Sequence, residues 1–159
     1  MRVDVDTPTL DQMVKSLANP EPALKDIQDA ILEANKEAFD TQGASTGSPW
    51  QPLSAKWLKA RKKQGKGTRI LEYDSSRGGF LRKSLTHKTG YGAIRDIKGS
   101  SVTVGSSLVT AAHAQFGRPI LRAGKRPVKV PVRPVTVLTA KLQAEFTSII
   151  GKHLAAEKG

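Results

Sequence analysis

The side chains best suited to moving protons near neutral pH are His87, His113 and His153. None stands at ligand spacing from another histidine or a carboxylate. His113, inside Ala111-Ala112-His113-Ala114-Gln115-Phe116-Gly117, is the most suggestive, but general acid–base work needs a positioned partner, and no acid or nucleophile lies nearby in sequence. His153 falls near the end of a helix, an ordinary place for an imidazole. Metal-assisted hydrolysis needs clustered carboxylates, and the middle of the chain offers only Glu72, Asp74 and Asp96. Gly65-Lys66-Gly67-Thr68 imitates part of a phosphate loop but lacks the full glycine-to-lysine spacing and follows a basic helix instead of a strand. There is no cysteine, so disulfides and thiolate metal sites are excluded. These residues predict no catalytic, cofactor-binding or metal-ligating site, and no enzyme.

What the chain does concentrate is charge. Residues 1–50 carry four basic and nine acidic side chains, whereas residues 51–133 carry nineteen and three. The basic side chains gather in two runs. Lys59, Arg61, Lys62, Lys63, Lys66 and Arg69 form the first, and Arg118, Arg122, Lys125, Arg126, Lys129 and Arg133 the second. Three uses fit such runs: a surface that faces phosphates, a self-complementary pairing with the acidic start of a second copy, or a solvated face that aids solubility. Glycines and like charges argue for mobile, exposed basic loops over 59–79 and 117–127.

The elements that must carry these residues follow from periodicity. Leu10, Met13, Val14 and Leu17 fit a short helix within an N-terminal arm, residues 1–20. Leu24, Ile27, Ile31, Ala34, Ala38 and Phe39 make one apolar stripe, predicting a long helix over 22–41. Ser54 caps a third helix bearing Trp57 and Leu58. Leu81 to Leu85 reads as the start of a strand or a short turn. Ala93 to Ile97 and Ser101 to Gly105 are β-branched runs about Gly99-Ser100, a hairpin. Ala111 to Phe116 is a short helix or turn ended by Gly117. Val128, Val130, Val132 and Val135 among prolines suggest an edge strand. Thr139 caps a last helix whose face carries Leu142, Phe146, Ile149, Ile150 and Leu154. Phe39, Ile31, Leu142, Phe146 and Ile150 are expected in the core. At 159 residues this is one domain, 1–159. The fold class is α+β: a small, mainly antiparallel sheet with long N-terminal and C-terminal helices and extended loops. No apolar run reaches the roughly 18 residues of a membrane span, and the acidic N-terminus has no signal-peptide character.

Several short words follow one another in a telling order: Trp50-Gln51-Pro52-Leu53-Ser54, Leu81-Arg82-Lys83-Ser84-Leu85, Val102-Thr103-Val104-Gly105-Ser106, Ala112-His113-Ala114-Gln115-Phe116-Gly117 and Val130-Pro131-Val132-Arg133-Pro134. In order and spacing, over roughly residues 24–155, they resemble the phage virion morphogenesis family, the tail-completion proteins of Mu-like and related tailed phages. Ser75 to Phe80 stands where that family has Thr-Gly, and Val135 where it often has an aromatic. The resemblance implies a structural virion protein that forms a ring at the tail end or neck and completes the tail for head–tail joining. It also implies a homohexamer, neighbouring tail and neck proteins as partners, and no cofactor.

On that reading Trp50, Trp57, His113, Gln115, Phe116 and Arg133 are candidate contacts with a neighbouring subunit or partner. For the two tryptophans, packing of the short helix onto the core is the competing assignment and the favoured one. Pro131 and Pro134 stiffen an extended arm that suits a subunit boundary. The basic loops would face protein partners for the most part, with non-specific contact to genomic DNA in the channel secondary. The protein would sit in the virion after assembly in the host cytoplasm, away from membranes. The alternative class is a small basic nucleic-acid-binding protein. Against it stand four Phe, two Tyr and two Trp in the whole chain, too few for the interleaved aromatics of a single-strand binder.

Overall fold

The computed structural model describes residues 19–72, 79–117, 119–120, 128–129 and 131–155. The N-terminal arm helix and most of the second basic run lie outside them. The first described helix, α1, is Glu21–Asp40. Pro22 sits in its first turn, where a missing N–H costs nothing, and Glu21 favours the positive end of the helix dipole. Its end is a Schellman turn: Gly43 N donates to Ala38 O at 2.8 Å and Gln42 N to Phe39 O at 3.3 Å. Gln42, not a glycine, takes the left-handed position, at φ 53°. Its own amide holds it there, donating to Phe39 O at 2.8 Å and accepting from Ile70 N at 2.7 Å.

A 3-10 turn, Ala44–Thr46, leads to α2, Ala55–Lys63, and then α3, Gly79–Thr86. Ser54 Oγ accepts from Trp57 N at the start of α2, the cap that the sequence predicts. The hairpin follows: β1, Ala93–Lys98, pairs antiparallel with β2, Ser101–Ser106, in a register that puts Gly99-Ser100 at the turn. Next come α4, Val109–Phe116, and the short strands β3, Pro119–Ile120, and β4, Val128–Lys129, which pair antiparallel. The chain closes with α5, Ala140–Ala155, whose first turn has Leu142 N donating to Thr139 Oγ1 at 3.2 Å. The fold is α+β with helices toward both ends, as expected, although the strands form two separate two-stranded ladders.

Two local expectations are corrected. Leu81–Leu85 lies in α3, because Leu81, Ser84 and Leu85 share one buried helical face. Ser84 Oγ donates to Leu81 O and meets Ser106 Oγ at 2.9 Å, tying α3 to β2. Among the described residues the valine-rich run forms a strand only at Val128–Lys129, and residues 133 and 135 make tertiary hydrogen bonds instead of a ladder.

α1 packs against α5 on one side and against α3 and the hairpin on the other. It therefore buries two stripes: Leu24, Ile27 and Ala38 from the predicted one, with Leu32 and Asn35 added. Asn35 is satisfied inside the protein by donating to Leu85 O at 2.9 Å. The core joins Ala38, Phe39, Trp50, Ile70, Leu81, Leu85 and Val135. Of the expected core residues, Phe39 and Leu142 are buried, but Ile31 and Phe146 are half-buried and Ile150 is 46% exposed. α5 runs along α1 as far as the His153–Asp26 contact, but Leu142 is its fully buried residue and its later apolar positions are half-buried or exposed.

Candidate interaction surface

The words picked out in the sequence come together in space, and side chains lock them. Trp50 closes against Phe39 edge-to-face, with ring centroids 5.5 Å apart, and its Nε1 donates to Pro134 O at 2.8 Å. Gly43 is what lets the indole in. A Cβ built there would lie 2.4 Å from Trp50 Cδ1, and the residue stands at φ 88°. Arg133 donates from Nε and Nη2 to Gln51 O at 3.2 and 3.0 Å, while its backbone N donates to Ala114 O at 2.7 Å. Gln115 finishes the joint, accepting from Val135 N at 3.1 Å and donating to Thr136 O at 3.0 Å. The Trp50-Gln51, Ala114-Gln115 and Arg133-Pro134 segments thus form one hydrogen-bonded knot around a buried indole.

Arginines act as struts between segments of the fold. Arg61 is buried and donates to Gly67 O and Arg69 O, folding the chain back after α2. Arg95 reaches Gly105 O, Ser84 O and His87 O, capping the end of α3 from the hairpin. Burial lowers the Arg95 pKa; burial lowers that of Arg133 too, and the nearby positive charge of Arg61 adds to the effect. Arg82 differs. Burial alone would lower its pKa, but the carboxylates of Asp40, at 2.6 Å, and Glu72, at 3.1 Å, outweigh it and hold the pKa above its ordinary value. Arg69 shares both carboxylates and donates to Phe39 O. Arg82 also lies 5.7 Å over the Phe39 ring, so this network clamps the end of α1 onto α3.

The sequence-predicted contact residues divide into frame and surface. Trp50 and Arg133 are buried in the subunit's own frame, and Gln115 is half-buried in it, so their side chains do not present an outer face. His113 is half-buried on α4. Trp57, at 51% exposure, and Phe116, at 71%, do face outward, and Val132, at 56%, joins them from the arm that the frame holds. Gly117 ends α4 in the left-handed conformation at φ 61°, turning the chain just after Phe116. A second exposed apolar pair is Phe80 with Tyr91, whose ring centroids are 5.6 Å apart.

In the first basic run Lys59, Arg61, Lys62 and Lys63 belong to α2 and not to a loop. Arg61 points inward because a guanidinium can bridge two carbonyls, which removes it from the candidate contact set. Lys66 is half-buried, and Arg69 is held by carboxylates. In the second run Arg118, Arg122, Lys125 and Arg126 lie outside the described residues, as does the Lys129 side chain. Among the described residues no three His, Asp or Glu side chains group as a metal site. No described helix is long and apolar enough to cross a membrane. The Arg95 and Arg82 anchors were missed by sequence reasoning. Only the isolation of Asp40 and Glu72 near basic residues hinted at the second.

The family model for phage virion morphogenesis proteins matches residues 5–155. The chain belongs to the phage virion morphogenesis family. No curated protein and no solved structure matches it. In this virion morphogenesis protein three of the short sequence words mark a structural knot. Their residues make each other's hydrogen bonds, which gives a physical reason for Trp50, Gln115 and Arg133 to occur together. The frame leaves Trp57, Phe116 and Val132 on its outer side.

Proposed function

We propose that this phage morphogenesis protein is a non-enzymatic subunit of the tail end or neck, where copies of it form a sixfold ring that completes the tail for joining to the head. The observation that carries this reading is the family match over nearly the whole chain. The architecture supports it. A rigid frame built on Trp50 and Arg133 holds exposed apolar side chains in fixed positions, and preorganised anchors of that kind suit repeated subunit contacts. Trp57 and Phe116 would contact the neighbouring copy or the adjoining tail and neck proteins. The interface is weak in isolation and forms on the tail, so the purified chain runs as a monomer or a small oligomer. Reconstruction of particles carrying the protein tests the reading. A ring of six copies at the head-proximal end of the tail is the expected result. Scattered single copies, or none in the particle, would sink it.

A further inference from the structure

Charge is unevenly satisfied across the described residues. Eight of the nine described carboxylates have a lysine, arginine or histidine nitrogen within 3.1 Å: Glu21, Asp26, Asp29, Glu33, Glu37, Asp40, Glu72 and Asp96. The described body of the protein therefore has little negative charge left for the cations of a second copy. Lys56, Lys59, Lys62 and Lys63 on α2 have no carboxylate partner among the described residues, and all four are exposed.

Helical geometry puts these four on one face. At 100° per residue they fall within an arc of about 120°, opposite the buried Arg61. From Lys56 to Lys63 the face runs about 10 Å along the axis, the rise of about three phosphates on one strand of a duplex. Helix stability does not account for it. Lys62 and Lys63 suit the negative end of the dipole, but Lys56 lies in the first turn, where a cation is unfavourable. The pairs Lys56–Lys59, Lys59–Lys62 and Lys59–Lys63 also place like charges three or four residues apart, which weakens a helix. Places where a sequence breaks its local rules are where function or strain is to be looked for.

We infer that the lysine face of α2 is a contact surface for duplex DNA, gripping the phosphate backbone without reading sequence. Lysines suit that task because each is a mobile point charge. Contacts of this kind hold DNA while letting it slide. No aromatic stands within the arc to stack on unpaired bases, which favours duplex over single strands. The inference deepens the proposed role at the joint, and rests on it for the presence of the genome.

The test is binding of the full-length purified chain to a short mixed-sequence duplex, followed by anisotropy from about 50 to 200 mM salt. In the Lys59→Gln/Lys63→Gln variant the slope of log K against log salt should become shallower by about 1.8, since each lost phosphate contact removes about 0.9. Lys83→Gln/Lys152→Gln, which removes two exposed lysines elsewhere that also lack carboxylate partners among the described residues, should leave the slope unchanged. An equal loss in both variants would mean that only net charge matters, and would overturn the inference. So would an unchanged slope in the α2 variant. Binding of poly-glutamate but not of duplex would assign the face to an acidic protein and overturn it as well. Circular dichroism should report native helix in both variants. A missing ring in particles would defeat the proposed joint role and leave the binding result standing.

Discussion

The two sets of cations on and behind α2 have the same formal charge and opposite uses. Arg61 and Arg133 lie in the fold, each guanidinium directed at backbone carbonyls of a distant or turning segment. Lys56, Lys59, Lys62 and Lys63 stay in water. The difference follows from the head groups. A planar fork satisfies carbonyls in fixed directions and tolerates partial burial, while a compact ammonium is strongly hydrated and resists leaving water. Net charge counted along a sequence therefore overstates what a partner meets, because part of the positive charge here is internal scaffold.

The sharpest way to break this comparison is to remove what the scaffold surrounds. Trp50→Ala takes a buried indole away from Phe39 and leaves Pro134 O without its donor, so stability should fall by about 3–5 kcal/mol in denaturant titration. A loss below about 1 kcal/mol would mean that the knot is not a unit. Next comes Arg133→Lys, which keeps the charge and removes the fork to Gln51 O. If geometry matters more than charge, it should cost about 1–3 kcal/mol, and a neutral result would erase the distinction between the two sets. The smallest effect belongs to the lysines. Lys59→Gln with Lys63→Gln should change stability by no more than about 0.5 kcal/mol, because relief of a like-charge pair offsets the loss of a cation at the negative end of the helix dipole. A clear loss in thermal melts would place those side chains in the scaffold after all.

Much of the fold was legible because its signals are local. The hairpin over residues 93–106 is set by β-branched runs about Gly99-Ser100, and α2 and α5 by the caps Ser54 and Thr139. α3 was misread because five residues of Leu-Arg-Lys-Ser-Leu fit either period, and burial of Ser84 against Ser106 decided it. The extended 131–135 segment could not be resolved from sequence, since its hydrogen-bond partners, Trp50, Gln51, Ala114 and Gln115, lie 19 or more residues away. The candidate contacts were only half legible. The sequence words singled out Trp50, Gln115 and Arg133 as candidate contacts, yet could not distinguish a knot inside one subunit from a seam between two. Exposure of Trp57 and Phe116 came only from the packing.

The Trp50 to Pro134 hydrogen bond spans 84 residues, and the His153 to Asp26 contact spans 127. During synthesis at about 5–20 residues per second, the indole waits about 4–17 s for its acceptor to be made. Until then Phe39 and Trp50 have no complete core, and the platform that orients Phe116 and Val132 does not exist. These long-range contacts thus act as a timer on folding: the knot around Trp50 cannot close until the segment 133–135 has been translated.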